Sequence, residues 1–261
     1  GGSDMTQEQQ ADNLIRCLLA ERKEYQDIRV PAELPDKRRL LRSLMNVRPP
    51  APVSEEFLRV QDAYLQERLA QRGVTGLKDL TPVRPGLYLW QGDITTLAVD
   101  AIVNAANSGM TGCYIPCHGC IDNAIHTYAG MQLRLECARI MAGQRGEEPV
   151  GQAKITKAYN LPCRYVLHTV GPMIDGTFTK TDREQLSSCY RSCLDLAAAN
   201  GLHSVAFCCI STGEFHFPNE LAAQIAIATV RDWQRQNPDK IEVIFNVFKD
   251  RDHELYKRLL G

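Results

Sequence analysis

Residues 5–81 have the polar and apolar spacing of amphipathic helices. Apolar side chains recur at three- and four-residue intervals within residues 14–19 and again within residues 40–45, and prolines interrupt the chain after each set. Ser54, which two glutamates follow, is a typical helix start, and Gly73 is a typical helix end. No catalytic constellation stands out in this part of the sequence. We therefore expect a helical extension packed on the main domain, the alternative being an independent functional module.

The pattern changes at about residue 82, where short apolar or β-rich segments begin to alternate with longer amphipathic ones. The predicted strands are Leu87–Gln91, Val99–Val103, Tyr165–Thr169, Val205–Ile210 and Val243–Phe248. The predicted helices are Ile121–Met141, Arg183–Ala199, Asn219–Gln236 and Arg251–Leu260. This alternation is typical of an α/β domain with a largely parallel sheet, which we assign to residues 82–261. Ligands bind such sheets at the loops that follow the carboxyl ends of the strands.

The composition of the 261 residues is that of a globular protein, with 44% hydrophobic and 23% charged residues. It excludes the disordered, collagen-like and coiled-coil classes. A formal net charge of −1 gives no footprint for duplex nucleic acid or anionic membranes. The sequence shows neither a membrane-length apolar run nor the plan of a signal peptide, so we expect a cytoplasmic protein. Residues 1–4, which precede Met5, are typical of an expression-tag remnant and are excluded from the fold prediction.

Three loops that follow predicted strands carry groups suited to a small, partly charged ligand. Asp93 could accept hydrogen bonds from an exocyclic amine or hydroxyl, or it could cap a turn. The amides of Asn104 and Asn107 flank two alanines and could contact a ligand or build a turn. Residues 211–215 form a glycine-containing loop before a helix, a plan that receives phosphate on backbone N–H groups but also serves as an ordinary connection. A P-loop lysine and the dinucleotide-binding glycine fingerprint are both missing, which excludes ordinary NTPase and Rossmann sites.

Ten cysteines are many for a chain without a secretion signal, and most of them fit reduced thiols in the core. One group differs: Cys113, Cys117, His118 and Cys120 lie in a loop that contains glycine and proline, and thiolate and imidazole are good zinc ligands. Four ligands would make a closed structural site. Cys113, His118 and Cys120 alone would leave a position open for water or substrate. Reduced thiols in a turn are the third interpretation.

The segment after this loop adds a carboxylate and a second imidazole. Asp122 lies where a helix should begin, so it could cap that helix or point into a site beside a metal. His126 lies four residues later on the same helical face, where it could ligate a metal, orient Asp122 or pack in the core.

Four short motifs occur in the order and spacing of one known family. They are Gly92-Asp93-Ile94-Thr95, Ile102–Ser108, His168–Pro172 and Ile210–Gly213. With these motifs the sequence resembles the macrodomains, an ADP-ribose-binding family with a three-layer α/β/α fold and a mixed, largely parallel central sheet. The Cys/His-rich loop stands where hydrolase-type macrodomains have a triple-glycine loop. That replacement, together with the helical extension, resembles the microbial zinc-dependent macrodomains.

This resemblance implies a Zn²⁺ ion held by Cys113, His118 and Cys120, with Cys117 at a variable position. It also implies an ADP-ribosyl hydrolase that removes ADP-ribose from the acidic side chains of modified proteins. The implied ligand is ADP-ribose, and the implied substrate is an ADP-ribosylated protein, for example a lipoyl carrier protein modified by a sirtuin-like transferase. Two alternatives share the pocket: a reader that binds ADP-ribose and has a structural zinc, and a hydrolase of small ADP-ribose esters.

The resemblance also assigns roles to individual residues. Asp93 is expected to bind the adenine amine, with Ile94 offering its backbone nearby, and Asn107 is expected to contact the distal ribose. The loop expected to wrap the diphosphate and the distal ribose comprises Ser211, Thr212, Gly213, Glu214 and Phe215. Asp122 occupies the helix-opening acidic position of related hydrolases. The candidate catalytic residues are Asn107, Asp122 and Glu214.

Overall fold

The fold is described for residues 4–261 from a computed structural model. Its helices are α1 (Gln7–Ala20), α2 (Leu34–Val47), α3 (Glu55–Arg72), α4 (Ile121–Ala129), α5 (Met131–Ala142), α6 (Lys180–Ala199), α7 (Asn219–Gln236) and α8 (Asp250–Leu260). Its strands are β1 (Thr75–Gly76), β2 (Leu87–Gln91), β3 (Leu97–Ala98), β4 (Ala101–Ala105), β5 (Ala153–Lys157), β6 (Tyr165–Thr169), β7 (Ser204–Phe207) and β8 (Glu242–Val247). Short 3-10 helices span Lys23–Tyr25, Leu77–Asp79 and Ile94–Thr96. Of the predicted tag remnant, residues 1–3 lie outside the described residues.

Helices α1 to α3 form the extension that the amphipathic spacing predicts. The Ser54 hydroxyl accepts a hydrogen bond from the backbone N–H of Phe57 at 3.0 Å and so caps α3, as expected. The helix ends at Arg72, before Gly73, whose φ of 85° suits glycine. The three helices bury their own apolar cluster, to which Met131 at the start of α5 also belongs. The extension therefore packs on the α/β part through α4 and α5.

A six-stranded sheet forms the centre of the α/β part, with the strand order β2-β8-β7-β4-β6-β5. Neighbouring strands are parallel except β5 and β6, which are antiparallel. The central strands are buried on both faces, and the side chains of Ile102, Val166 and Val205 have no exposed surface. The small parallel pair of β1 with β3 joins the end of the extension to the segment after β2. The mixed, largely parallel sheet expected from the sequence is confirmed.

Two groups of helices cover the sheet. Helices α4 and α5 pack together and contact β4 and β5, whereas α6, α7 and α8 pack side by side, with α6 against β5 and β6 and α8 against β2 and β8. This is a three-layer α/β/α arrangement. None of the helices within residues 4–261 combines the length and the apolarity needed to cross a bilayer.

The prediction of one helix over residues 121–141 is wrong, because the structure divides this segment into α4 and α5 at Gly130. Gly130 has a φ of 101°, which glycine tolerates, and a Cβ there would lie 2.6 Å from the side-chain nitrogen of Gln61. After the break, the backbone N–H of Met131 donates to the side-chain oxygen of Gln61 at 2.9 Å, so α5 begins against α3. The apolar spacing continues across the break, which is why periodicity does not reveal it.

Strand boundaries also differ from the prediction. The strand expected at residues 99–103 lies two residues later as β4, which places Asn104 inside the sheet and not in the following loop. Strand β7 ends at Phe207, before the predicted end at Ile210. The sequence does not predict β5, because this edge strand alternates polar and apolar residues over only five positions. In contrast, β2, β6 and α7 have the predicted bounds.

Candidate functional site

Loops from the carboxyl ends of β4, β6 and β7 meet at one edge of the sheet. Ala106, Met110 and Val170 from the first two loops share a buried apolar cluster, against which Phe215 of the third loop packs. The backbone N–H of Ile174 donates to the Phe215 carbonyl oxygen at 2.9 Å and joins the second loop to the third. The carboxyl ends of neighbouring parallel strands thus bring together loops that are distant in sequence, as expected for a ligand site in this type of sheet.

Cys113, His118 and Cys120 form a cluster in the segment between β4 and α4, called the loop cluster below. One ligand atom from each residue lies within 4.8 Å of the others, and all three residues are partly exposed. The Sγ atom of Cys113 lies 3.7 Å from Nδ1 of His118. Two sulfur atoms and an imidazole are ligands that zinc prefers, and three protein ligands leave a fourth position for water or substrate. The residues present therefore fit a zinc ion.

The other nitrogen of the His118 ring faces an acidic side chain. Its Nε2 atom lies 3.4 Å from Oε1 of Glu214 in the loop after β7. Metal-binding imidazoles commonly donate their second N–H to a carboxylate, which fixes the ring and raises its basicity. The Glu214 side chain is 73% exposed, so the contact lies at the surface. It brings one predicted catalytic residue next to one predicted metal ligand.

Cys117 does not belong to the loop cluster. Its Sγ atom lies 3.3 Å from the Ser43 hydroxyl and 3.5 Å from the carbonyl oxygen of Arg39, both on α2. Its backbone N–H donates to the side-chain oxygen of Asn46 at 2.9 Å. The remaining thiol of the motif is therefore turned towards the extension and away from the three candidate ligands.

A buried arginine holds the same loop against the end of α2. The Arg134 guanidinium donates to the carbonyl oxygens of Thr111 at 2.7 Å and of Cys113 at 3.1 Å. It also donates to the carbonyl oxygens of Asn46 and Arg48, both at 2.8 Å. Carbonyl groups at the end of a helix lack intrahelical partners, so the cation satisfies them while it supports the loop. Arg134 is thus a link between the extension and the loop cluster.

Asp122 is the second residue of α4 and does not cap it. The cap is Cys120, whose sulfur accepts a hydrogen bond from the backbone N–H of Asn123 at 3.4 Å. The Asp122 carboxyl is buried and accepts a hydrogen bond from the side-chain amide of Asn104 at 2.9 Å. Its Oδ1 also lies 3.6 Å from Nε2 of His126. The capping interpretation of Asp122 is therefore wrong, because its carboxyl belongs to a buried polar network.

His168 on β6 extends this network. Its Nδ1 lies 3.1 Å from the side-chain nitrogen of Asn104, and its Nε2 lies 2.9 Å from the Thr156 hydroxyl. The sulfur of Cys137 on α5 lies 4.0 Å from the same Nε2. His126, Cys137 and His168 each place one ligand atom within 4.8 Å of the others, and all three are buried. We call this second group the core cluster.

Burial shifts the pKa values of Asp122, His126 and His168, each in the direction that favours the uncharged side chain. Burial raises the pKa of the Asp122 carboxyl to about 6, against the opposing effects of the Asn104 hydrogen bond and the Arg134 charge. Burial lowers the pKa of His168 to about 4. Burial also lowers the pKa of His126 well below its usual range, and the His168 and Arg134 charges act in the same direction. At neutral pH both imidazoles are therefore uncharged.

The loop after β7 presents backbone N–H groups that lack acceptors. Within residues 4–261, the N–H groups of Gly213, Glu214 and Phe215 donate to no protein atom, whereas the Thr212 hydroxyl is bonded to the backbone. The Ser211 hydroxyl is buried and has no hydrogen-bond partner among residues 4–261. The backbone of Ser211 has a φ of 67°. Successive N–H groups in such a turn make an anion-binding concavity. The loop can therefore receive a phosphate or diphosphate group.

Asp93 lies directly after β2 and has contacts on both oxygens. Its Oδ1 accepts hydrogen bonds from the Thr95 backbone N–H at 2.9 Å and from the Thr95 hydroxyl at 2.6 Å, so it caps the following 3-10 helix. Its Oδ2 pairs at 3.0 Å with Arg72, which α3 of the extension supplies. The side chain is 41% exposed and a carboxylate has further lone pairs, so it can also accept from a ligand. The Ile94 side chain is buried in the core, which leaves its backbone for ligand contact.

Asn107 builds a turn in the loop after β4. Its side-chain oxygen accepts hydrogen bonds from the backbone N–H groups of Gly109 and Met110, both at 3.1 Å. Its side-chain nitrogen donates to the Gly112 carbonyl oxygen at 3.0 Å. These contacts match the interpretation of the motif as an asparagine-built turn. Asn107 is exposed, and one hydrogen of its amide remains for a ligand.

Three residues that shape the site carry almost no signal in the sequence. Asn46 lies 71 positions from Cys117, and Arg72 lies 21 positions from Asp93, so no local motif connects them. For Arg134, the sequence shows only a charged residue between two leucines in α5. Contacts between distant segments are needed to reveal their roles.

Comparisons with known proteins identify the family. The macro domain family model matches residues 103–226. The chain is 57% identical over 261 residues to a protein from Treponema medium named protein-ADP-ribose hydrolase, covering 98% of this chain and 100% of that protein. A protein of the same name from Staphylococcus aureus strain MSSA476 is 50% identical over 246 residues, with 94% and 92% covered.

The solved structures agree. A Trypanosoma brucei macrodomain in complex with ADP-ribose superimposes with a TM-score of 0.66 at 32% sequence identity, covering 84% of this chain and 95% of that chain. The architecture, the sequence relatives and the structural relative lead to one conclusion: this chain belongs to the macro domain family.

Proposed function

We propose that the protein is a zinc-dependent hydrolase that removes ADP-ribose from the acidic side chains of modified proteins. The names of the relatives support hydrolysis of a protein–ADP-ribose linkage, and the ADP-ribose complex of the structural relative supports the ligand. One observation supports the proposed dependence on zinc: Nε2 of His118 in the loop cluster lies 3.4 Å from Oε1 of Glu214 in the anion-binding loop. A metal ion at the cluster would therefore lie next to the bound ligand.

The chain's own residues would hold ADP-ribose along the edge of the sheet. Asp93 would bind the adenine amine, with the backbone of Ile94 nearby, and the free N–H groups of the 211–215 loop would bind the diphosphate. Asn107 would contact the distal ribose through its remaining amide hydrogen. This orientation would bring the anomeric carbon of the distal ribose close to the loop cluster.

The loop cluster would hold the metal ion through Cys113, His118 and Cys120, and Glu214 would fix the His118 ring. Zinc, when bound, supplies a Lewis acid that orients and polarises the substrate at the scissile bond. Burial raises the pKa of the Cys120 thiol to about 12, and the neighbouring Cys113 adds to this effect. The thiol therefore keeps its proton until a cation displaces it, so metal binding should release protons.

An acidic side chain is the linkage that these residues suit best. When the bond between the anomeric carbon and the carboxylate breaks, positive charge develops on the ribose. The departing carboxylate needs little protonation, because its pKa as a free side chain is about 4. Glu214 at the surface and Asp122 in the buried network would stabilise the developing positive charge.

A reader of ADP-ribose with a structural zinc would need a closed site with four ligands. Cys117 contacts α2 instead, and the three remaining ligands leave one position open. This arrangement favours hydrolysis over binding alone. A hydrolase of small ADP-ribose esters would use the same pocket, but the names of the relatives favour a protein substrate. A lipoyl carrier protein modified by a sirtuin-like transferase is our first candidate substrate.

Release of free ADP-ribose from a protein mono-ADP-ribosylated on Asp or Glu tests the proposal. The purified protein should release it, and a protein modified on arginine should serve as a poor substrate, since guanidine is a worse leaving group. Tight binding of ADP-ribose without any release would establish the reader instead. Faster turnover of an acetyl ester of ADP-ribose than of the modified protein would establish the small-ester hydrolase.

A further inference from the structure

A groove next to the candidate site separates the extension from α4. It has a volume of about 280 Å³ and is lined by side chains of α2, α3 and α4 and by one residue of the Cys/His-rich loop. Its walls carry Arg38, Arg39 and Arg42 from α2 and Arg68 from α3, and its floor contains buried leucine and methionine side chains. We call it the arginine groove.

The arginines are spaced so that like charges lie close together. Arg38 and Arg42 are four residues apart on one face of α2, and Arg68 and Arg72 are four residues apart on one face of α3. Like charges at this spacing destabilise a helix, and here both members of the first pair and Arg68 of the second line the groove. The guanidinium carbons of Arg72 and Arg42 lie 3.7 Å and 5.7 Å from the centre of the Tyr128 ring. The fold therefore concentrates positive charge around this groove.

Three of these arginines have no acidic partner in the part of the chain that the structure describes. Arg39 pairs with Asp36 and Arg72 pairs with Asp93, whereas Arg38, Arg42 and Arg68 form no ion pair there. They donate instead to the amide oxygens of Gln7, Asn123 and Gln71, respectively. An amide oxygen accepts a hydrogen bond but brings no negative charge, so the groove remains electropositive.

The groove lies beside the candidate site. Cys117, which belongs to the Cys/His-rich loop, is one of its lining residues. On another side, Tyr128 lines the groove and stacks on Arg72, which pairs with Asp93 at 3.0 Å. A polypeptide joined to the distal ribose has to leave the site next to the loop cluster. The groove is therefore placed where the polypeptide that carries the modification can reach it.

We propose that the arginine groove binds an acidic segment of the ADP-ribosylated protein. This rests on the proposed function, because it requires a protein substrate. Guanidinium groups pair bidentately with carboxylates, and three of them here are free of competing acidic side chains. The apolar floor accommodates the methylene groups of glutamate or neighbouring apolar residues. The groove thus selects substrates in which further Asp or Glu residues lie near the modified one.

A fluorescently labelled peptide of ten glutamates tests the groove directly by anisotropy. The full chain should bind it, and the double variant Arg38→Gln, Arg68→Gln should bind at least about tenfold more weakly. The matched control replaces two exposed arginines of α7, Arg231→Gln and Arg235→Gln, and should bind the peptide like the wild type. Equal binding by the first double variant and the wild type would overturn the proposal, as would equal weakening in both double variants.

Hydrolysis gives a second readout. For an Asp/Glu-modified protein with acidic flanking residues, the groove variant should raise KM at least about fivefold and leave kcat unchanged. Its turnover of an acetyl ester of ADP-ribose should equal that of the wild type. An unchanged KM for the protein would overturn the proposal. If the wild type released no ADP-ribose, the proposed function would fail, and the peptide measurement would still decide the groove.

The variants are chosen to keep the fold intact. Glutamine is shorter than arginine, but it removes the positive charge and keeps a polar amide that can donate a hydrogen bond. Neither Arg38 nor Arg68 contacts the loop cluster. Should the double variant not fold, Arg68→Gln alone supports both measurements, because the Arg68 guanidinium donates to Gln71 within its own helix.

Discussion

Two groups of cysteine and histidine lie near each other in this protein, and their ligand atoms alone do not distinguish them. The loop cluster and the core cluster each place three nitrogen or sulfur atoms within 4.8 Å of one another. Both contain histidine and cysteine, the residue types that zinc prefers. Their surroundings differ in access, in free lone pairs and in charge, and these differences decide which group is suited to a metal ion.

Access and lone pairs favour the loop cluster. Its residues are partly exposed, whereas those of the core cluster are buried. In the core cluster, both ring nitrogens of His168 already have partners, Asn104 and Thr156, although those of His126 have no hydrogen-bond partner among the described residues. A metal ion there would have to displace one of these hydrogen bonds and reach a site without contact to solvent.

Charge favours the loop cluster as well. His118 has the carboxylate of Glu214 beside it, which favours a cation. In the core, the Asp122 carboxyl lies 3.6 Å from His126, but burial and then the His168 and Arg134 charges lower the pKa of His126, so positive charge is disfavoured there. Burial raises the pKa of the Cys137 thiol to about 12, as it does for Cys120 of the loop cluster, so the thiols do not distinguish the two groups. Proximity of ligand-type residues is therefore not sufficient for a metal site.

Removal of one ligand from the loop cluster should have the largest effect. Cys113→Ser should reduce the zinc content from about one per chain to less than about a tenth, and it should slow ADP-ribose release at least about 100-fold. Atomic emission spectroscopy and the release assay measure the two effects. Cys117→Ser in the same loop and Cys137→Ala in the core cluster are the controls, and both should retain zinc. Zinc loss in Cys137→Ala as large as in Cys113→Ser would contradict the claim that the loop cluster, and not the core cluster, is suited to the metal ion.

The core cluster should reveal itself through the pH dependence of stability. The pKa of His168 is about 4 in the folded protein and about 6.5 when unfolded, so acid favours the unfolded state in this window. Between pH 7 and pH 5, this residue should lower the free energy of unfolding by about 2 kcal/mol. Urea unfolding of the wild type and of His168→Gln at both pH values measures it.

The free energy of unfolding falls by some amount from pH 7 to pH 5 in each protein. The contribution of His168 is the difference between that fall in the wild type and in His168→Gln. The Asp122 carboxyl, whose pKa burial raises to about 6, acts in the opposite direction in this window but is present in both. The same loss of stability in the wild type and the variant would show that His168 is not held neutral in the core.

The support of the loop by α2 should influence zinc affinity. Asn46→Ala removes the acceptor of the Cys117 backbone N–H and should weaken zinc binding about tenfold, measured by competition with a chelator. Gln61→Ala is the matched control, because Gln61 is also a buried amide that accepts a backbone N–H, that of Met131, at the interface of the extension. Both variants should lose stability, but only the first should lose zinc affinity. Equal zinc affinity in the two variants would contradict the supporting role of Asn46.

The smallest effect is expected at the exposed edge of the loop cluster. Glu214→Gln removes the charge that faces His118 and should weaken zinc binding about threefold, because solvent screens a surface contact. Glu184→Gln on α6, where the glutamate is similarly exposed, is the control and should leave zinc affinity unchanged. An unchanged zinc affinity in Glu214→Gln would show that this carboxylate does not orient His118.

Much of the fold follows from local patterns in the sequence. Strand β6 and helix α7 have the predicted bounds, because an apolar run and helical spacing are signals within the element itself. The division at Gly130 is different, since it depends on the packing of Gln61 from α3 against that glycine. Strand β5 is likewise formed through its pairing with β6 and has only weak β character of its own.

The features of the candidate site also divide into local ones, which the sequence predicts, and ones that depend on contacts between distant segments. The ligands of the loop cluster lie within a few positions of each other, so their residue types and spacing are visible in the sequence. The turn at Asn107 and the cap at Asp93 are also local and were among the alternatives that the sequence allowed. The roles of Asn46 and Arg134 could not be predicted, because their contacts join segments 71 and 88 positions apart. The burial of Asp122 also depends on the assembled fold. This burial is what shows that its carboxyl belongs to the buried polar network and does not cap α4.

Zinc removal and replacement tests the central claim most directly. ADP-ribose release from an Asp/Glu-modified protein is measured with the protein as purified, after a chelator has removed its zinc, and after zinc is restored to about one ion per chain. We predict that release is lost on removal and returns with the added zinc, while the helical circular dichroism remains. Full release by protein shown to contain no zinc would contradict the account.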